Sequence, residues 1–517
     1  MNSFSRIIAA AFYLALFFIL FPWFQYVIDI DAISYIHVAQ RFANGEYYYS
    51  LNGYWSPLIS WVLVPFIKMG YDPVLASKYI NGLLGLLCLF SCNVLTDKFN
   101  INSTIKRVLP FVLAILLVSF AFYELCADLL QLFLLLLYLN LVLSKDFIND
   151  NIKIIFAALV AGLCYYAKAY SFPFFFMHFT IVTIVALLKS KPMQFKKALI
   201  SKLLIGFITF LLVTAPYIAL ISHKYGSFRI SNAGMLNTSW FLSPGTGDTT
   251  TIVAVPPFGD ATSYWDEPTY TQKKLVGPFN SVHFFLVQIK IVISNIFRYL
   301  GMLNLMSIFA FVIITAFIVY LYRKKEVAET GEILLFITAL IYPVGYFMIF
   351  IEWRYIWVLP ICFLLLAGIA LTHFINEKWI PKKITLPIIL LVMLSFAYQP
   401  FNEMQDLKNS YKDVYEMAEV FKKNHISGNF LLNYKSFPPY GKTVSLCYLT
   451  NSKLYGPARL DYTMAAFTDA VNRYRINYYL FFYDFPNEKE VFLQSAYAKA
   501  GKKVYDNLYP GIIVVQF

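Results

Sequence analysis

The chain has 517 residues, 59% hydrophobic and only 14% charged, with a net charge of +13. A soluble globular chain carries roughly 25% charged residues, so this composition excludes a soluble enzyme and describes an integral membrane protein. The positive balance is spread over short loops between apolar runs and forms no basic patch for nucleic acid.

The first apolar segment, residues 7–27, follows Arg6 and shows no small-residue cleavage site, so it reads as a retained helix. Further charge-poor runs at 110–122, 203–221, 303–321 and 384–397 bring the expected total to about eleven spans of a hydrocarbon layer ~30 Å thick. Lysine and arginine collect at Lys98, Lys106 and Arg107, at Lys145 and Lys153, over 189–202, at Arg323-Lys324-Lys325, and at Lys378, Lys382 and Lys383. Loops rich in both are retained in the cytoplasm. The alternate segments then share one outer face: Asp29 and Asp31, the turns 124–128 and 168–173, the stretch 222–301, the turn Glu352-Trp353-Arg354-Tyr355, and everything after Pro400.

Within that outer stretch, the Gly/Thr/Pro-rich residues 243–260 read as a mobile lid. The tail has a different grammar, since charge and turn residues return and apolar runs shorten to strand length. Helices are expected at 411–423, 464–474 and 488–500, and strands at 430–434, 444–449, 478–483 and 511–517. The chain thus divides into an all-α polytopic membrane domain, 1–400, and a small extracytoplasmic α/β domain, 401–517. Cys88, Cys92, Cys126, Cys164 and Cys362 lie in or beside apolar spans, with Cys447 alone in the tail. That distribution offers neither an external disulfide nor a thiolate metal site.

Asp29-Ile30-Asp31 stands where the first apolar segment runs out, followed by Tyr35, Gly45 and Trp55-Ser56-Pro57-Leu58. Charge at a membrane boundary asks for a function. Glu124 and Asp128 are one helical turn apart on the same outer side, and Lys168 and Arg354 bring positive charge to that level. His37 lies at near-helical spacing from Asp31 and could share a proton with it. Acids and bases gathered at one depth from separate segments suit an anionic headgroup and a polar co-substrate, with the cations pointing to phosphate. Each has a plainer reading: a solvated helix end for the aspartates, a helix cap for Glu124 and Asp128, snorkelling for Lys168, a surface pair with Glu352 for Arg354, and interfacial packing for His37.

The Asp31-Ala32, Tyr35, Ala39, Gly45 and Ser56-Pro57-Leu58 sequence resembles the first external loop of the GT-C superfamily of integral-membrane glycosyltransferases, including the aminoarabinose and mannosyl transferases. Glu124 with Asp128, Ala161-Gly162-Leu163 with Lys168, and Arg354-Tyr355 with Pro360 extend it along the membrane part. Two departures stand out: Ala32 occupies the second place of the usual acidic pair, and the second acidic group is spaced Glu-x-x-x-Asp. The resemblance implies transfer of a sugar from a polyprenyl-phosphate donor to a glycan, lipid or protein acceptor on the outer face of a bacterial inner membrane, with inversion. Asp31 is then the general base, assisted by Asp29. Arg354 and Lys168 stabilise the leaving phosphate, and Glu124, Asp128, Tyr35, His37 and Tyr355 position substrate or, at the acids, share a divalent cation. A lipid-linked-glycan flippase and a polysaccharide polymerase remain the alternatives. The first should carry midplane charge and repeated halves, and neither is evident; the second would use a similar outer site.

Overall fold

The computed structural model describes residues 3–123, 125, 127–190, 194–243, 253–271, 275–324, 329–433, 439–456 and 463–517. A long apolar helix, α1 (Ser3–Phe24), leads into a turn at Asp29 that starts the helix α2 (Ile30–Ala43). The single turn α3 (Tyr47–Ser50) and the short α4 (Leu58–Lys68) complete the first loop region. Asp72 caps α5 (Pro73–Asp97) with proline at its first turn, and Asn102 caps α6 (Ser103–Phe122).

Four more apolar helices follow: α7 (Ala127–Val142), α8 (Asn151–Ala167), α9 (Ser171–Ser190) and the 31-residue α10 (Phe195–Tyr225). Gly226 ends α10 in the left-handed conformation at φ 68°. The outer segment continues with α11 (Ala233–Leu242), an extended strap over 253–271, and α12 (Val282–Met306) capped by Ser281. Then come α13 (Ala310–Arg323), α14 (Thr330–Ile341), α15 (Val344–Phe347), α16 (Val358–Asn376), α17 (Lys382–Leu394) and α18 (Tyr398–Leu407). Among the described residues, nine helices are long and apolar enough to cross a membrane and four are shorter. The chain is a multi-pass membrane protein.

Residues 303–321, expected as one span, are two helices broken at Ser307, whose hydroxyl meets Ser395 Oγ at 2.6 Å. The outer stretch expected to run to residue 301 becomes helical from Val282. Along its middle, Gln288 and Asn295 donate to the Met348, Phe347 and Ile349 carbonyls just before the Arg354 turn, so α12 packs at that turn's level.

The tail is an α/β unit whose elements are α19 (Lys412–Lys423), β1 (Asn429–Leu432), α20 (Pro439–Leu449), β2 (Lys453–Leu454), α21 (Met464–Arg473), β3 (Tyr478–Phe482), α22 (Pro486–Gln494), α23 (Ala496–Lys499), β4 (Lys503–Tyr509) and β5 (Ile512–Gln516). Its five strands run β2-β1-β3-β5-β4, parallel across β2, β1 and β3 and antiparallel where β5 meets β3 and β4. The strand expected at 444–449 is instead helix α20. A short apolar run cannot tell a buried strand from a buried helix, and α20 is buried on most sides because it is wedged against α2: Ser445 Oγ donates to the Ile28 carbonyl at 3.1 Å. Ser495 splits the expected 488–500 helix in two, and β4 and β2 were not anticipated. The division expected at 400/401 falls inside α18, and the sheet unit begins with α19. Asn409 N–H donates to the Trp23 carbonyl at 2.8 Å, tying the tail to the end of α1.

Of the expected lid at 243–260, residues 244–252 lie outside the described residues. The strap beyond them is stitched to the tail: Ala254 N–H donates to the Tyr455 carbonyl at 3.1 Å and Leu454 N–H to the Thr262 carbonyl at 2.7 Å.

Candidate active site

The site is built on the first turn of α2. Asp29 caps it, its Oδ1 accepting the Ala32 N–H at 2.8 Å, which is the helix-end role that a short acidic side chain favours. Asp31 follows in the first turn and reaches across the molecule. Its Oδ2 accepts from Arg354 Nη2 at 2.9 Å, and its Oδ1 from the Trp265 indole Nε1–H at 2.9 Å. Arg354 is shared, since its Nε donates to Glu352 at 2.8 Å, so the neighbouring surface acid and the remote aspartate divide one guanidinium fork. The Asp31 and Arg354 side chains keep 13% and 14% of their exposure, leaving a path for a substrate.

Beyond Arg354 the cluster continues through Tyr355. The guanidinium carbon sits 5.4 Å from that ring's centroid, and Lys168 Nζ lies 3.6 Å from the same centroid. Lys168 also makes an ion pair with the buried Asp128. Tyr355 thus contacts two cations, each bound to a carboxylate. Asp31, Arg354, Tyr355, Lys168 and Asp128, expected from four separate places in the chain, come together.

Burial and the neighbouring Asp31 carboxylate push the Asp29 carboxyl up to about 7, against the pull of Arg354 and of the backbone N–H bonds at the cap. Asp29 is therefore a proton holder near neutral pH, next to an aspartate that a guanidinium keeps engaged.

Two expected residues are placed elsewhere. His37 turns to the strap, its Nδ1 2.7 Å from Asp266 Oδ1 and its Nε2 3.4 Å from the Thr262 hydroxyl, so its acidic partner is Asp266 rather than Asp31. Tyr35 packs edge-on against Trp55 at 5.1 Å, and its carbonyl accepts from Ser60 at 2.8 Å. It supports α4 against α2. Glu124 lies outside the described residues. Among the described residues no three His, Cys, Asp or Glu side chains gather into a metal cage.

Two contributors escaped the sequence reading. Lys78 on α5 is buried and donates to the Val27 carbonyl, two residues before Asp29. Its span is apolar, and a lone lysine at a span's outer end was the available signal. Trp265, between α11 and α12, is the second. Its indole reaches Asp31 because its own carbonyl accepts from Trp55 Nε1 at 3.0 Å and Ser34 Oγ at 3.2 Å, while its ring stacks on Trp240 at 5.7 Å.

No protein-family model matches the sequence and no curated protein matches it. Solved structures do. ArnT from Cupriavidus metallidurans bound to undecaprenyl phosphate superposes with a TM-score of 0.54 at 12% identity, covering 98% of this chain and 97% of that one. Its apo form gives 0.51 at 13% identity, with 98% of each chain covered. The oligosaccharyltransferase of Archaeoglobus fulgidus, solved with zinc and sulfate, gives 0.55 at 11% identity, over 92% of this chain and 68% of that one. The chain has the fold of the GT-C membrane glycosyltransferases over nearly its whole length.

Proposed function

We propose that the protein is a glycosyltransferase that moves a sugar from a polyprenyl-phosphate carrier to an acceptor hydroxyl on the outer membrane face. The observation that carries this reading is the Asp31–Arg354–Tyr355–Lys168–Asp128 row, one reachable carboxylate and two cations gathered in a fold shared with an undecaprenyl-phosphate-bound protein.

Cleavage of the bond between anomeric carbon and phosphate leaves the electron pair and a growing negative charge on the phosphate oxygen. Arg354 and Lys168, both against the Tyr355 ring, receive it. A phosphate arriving there competes with Asp31 and Glu352 for the guanidinium. Each Asp31 oxygen accepts one hydrogen bond and has a second lone pair, so Asp31 takes the acceptor proton as the acceptor oxygen attacks from the opposite side of the anomeric carbon. A single displacement inverts that carbon. Trp265 holds the Asp31 carboxylate in position, and protonated Asp29 avoids a second negative charge beside it. Where a divalent cation is used, Asp128 is the described acid nearest the phosphate end, and Lys168 would have to yield it.

The test compares the surface glycans, by composition and mass, of cells lacking the protein with those restored with wild type or Asp31→Asn at matched membrane abundance. Loss of one sugar that wild type restores and Asp31→Asn does not supports the reading. Equal restoration by both removes Asp31 as base and favours a carrier of lipid-linked glycan.

A further inference from the structure

The polar face of α2 does not end at the active site. Asp31, Ser34, His37 and Arg41 are spaced three, three and four residues apart, which puts them on one face. The strap lies along that face, Trp265 against Asp31 and Ser34, Asp266 against His37, and Asp260 against Arg41. Ten residues of helix place Arg41 about 15 Å from Asp31.

Around Arg41 the polar groups are only partly matched. Its side chain is 1% exposed, Nε donates to Asp260 at 2.6 Å, and Phe258 covers the guanidinium at 4.5 Å. Nη1 and Nη2 are buried with no hydrogen-bond partner among the described residues. The fully buried Glu267 is in the same cluster: Oε2 accepts from the Tyr225 hydroxyl at 2.8 Å and faces Lys224 Nζ at 4.0 Å. Its Oε1 has no partner of good geometry among the described residues, although the Thr269 side chain is beside it. Donors and an acceptor left open together in one buried cluster are costly unless something joins them.

The signs of these groups select the chemistry. Asp260 and Glu267 disfavour an added anion, and Arg41 and Lys224 disfavour an added cation. A neutral pair of adjacent hydroxyls, each able to donate and accept, matches a donor fork beside a carboxylate. Above the cluster is a run of touching rings, Tyr48–Tyr49 at 5.7 Å, Tyr49–Phe258 at 5.6 Å and Phe258–Tyr270 at 5.9 Å. Tyr48, Tyr49 and Tyr270 are 54%, 50% and 52% exposed, so their faces are open to a ligand. Aromatic platforms beside a few placed polar groups are how a site holds the apolar face of a sugar ring and its hydroxyls together.

We propose that Arg41, Glu267 and the Tyr48, Tyr49, Phe258 and Tyr270 rings form an acceptor subsite for a neutral sugar unit remote from the one glycosylated at Asp31. The inference rests on the transferase reading and narrows it: the acceptor is an oligosaccharide able to span about 15 Å, not a free monosaccharide. Asp260, whose side chain is 46% exposed, moves aside to admit it.

Purified full-length protein in lipid nanodiscs is applied to an array of defined monosaccharides and oligosaccharides, as wild type, Asp31→Asn, Arg41→Gln and Tyr270→Ala. Wild type and Asp31→Asn are expected to bind the same oligosaccharide and not its monosaccharide, with affinity falling at least tenfold in Arg41→Gln and in Tyr270→Ala. Tyr270 is exposed, so that variant keeps the result readable if the buried Arg41 change impairs folding. No binding, or binding that survives both substitutions, overturns the subsite and leaves the rings as membrane-interface anchors. Oligosaccharide binding that needs Arg41 in a protein without transfer activity keeps the subsite and sinks the transferase reading instead.

Discussion

The two ion pairs flanking Tyr355 are chemically alike and structurally unequal. Asp31–Arg354 joins a helix start to a turn more than three hundred residues away, is held by a third element through Trp265, and leaves Arg354 divided between two acids. Asp128–Lys168 joins neighbouring helices α7 and α8, with Asp128 more deeply buried and Lys168 capped by a ring. An arginine fork can exchange a carboxylate for a phosphate oxygen while keeping its other partner, whereas a lysine offers a point charge already neutralised by its aspartate. On the proposed reading the first pair is the reacting end and the second a support for the carrier's charge.

The largest break in that comparison is expected at Asp31. Replacement by Asn should lower kcat for the proposed transfer from a polyprenyl-phosphate sugar by roughly 10²–10⁴-fold, the usual worth of a positioned base. Asp128→Asn should cost clearly less. Equal losses would mean that the two pairs share the work. Arg354→Lys comes next: losing the fork should reduce kcat/KM by about 10²-fold, the scale of one lost donor to a developing oxyanion. Lys168→Arg, which keeps charge over Tyr355, should mainly change the KM for the lipid donor. Rates measured in nanodiscs at varied donor concentration separate these outcomes.

A smaller effect is expected from Trp265→Phe, which keeps the stack on Trp240 and removes only the N–H held by Asp31. A hydrogen bond to a charged group is worth about 1.5–3 kcal/mol, so a drop in kcat of about tenfold or somewhat more is expected, with donor KM unchanged. A shifted pH–rate profile would mark a positioning effect on the base, and an unaltered rate would show that Arg354 alone orients Asp31.

The smallest effect concerns Asp29. Its folded carboxyl titrates at about 7, above its ordinary 3.8, so the folded state binds the proton more tightly than the unfolded chain. That contribution to stability is complete below pH ~4 and is lost as pH rises through about 7. Thermal unfolding in nanodiscs should show the wild-type midpoint falling relative to Asp29→Asn between pH 5 and pH 8. Parallel curves would place the Asp29 proton elsewhere.

Much of this was legible in residue order. The membrane class and the α/β tail follow from hydropathy, charge bias and periodicity, because a bilayer forces long apolar helices and basic loops onto a sequence. The same rules could not see His37 pairing with Asp266, since helical spacing reports which face a residue occupies and not what covers that face. They also read 444–449 as a strand and 303–321 as one span. The first lies where α20 is buried against α2, and the second where Ser307 meets Ser395, contacts that hydropathy does not encode.

The sequence by itself determined that this is a multi-pass membrane chain, and named most of the residues that meet around Tyr355. Only the tertiary structure decided who pairs with whom: that Arg354 closes on Asp31, that Trp265 steadies it, and that the polar face of α2 continues to Arg41 under the strap. Those contacts bridge positions hundreds of residues apart, and their distances are set by how helices pack and how a docked tail holds the strap, which no local pattern of residues records.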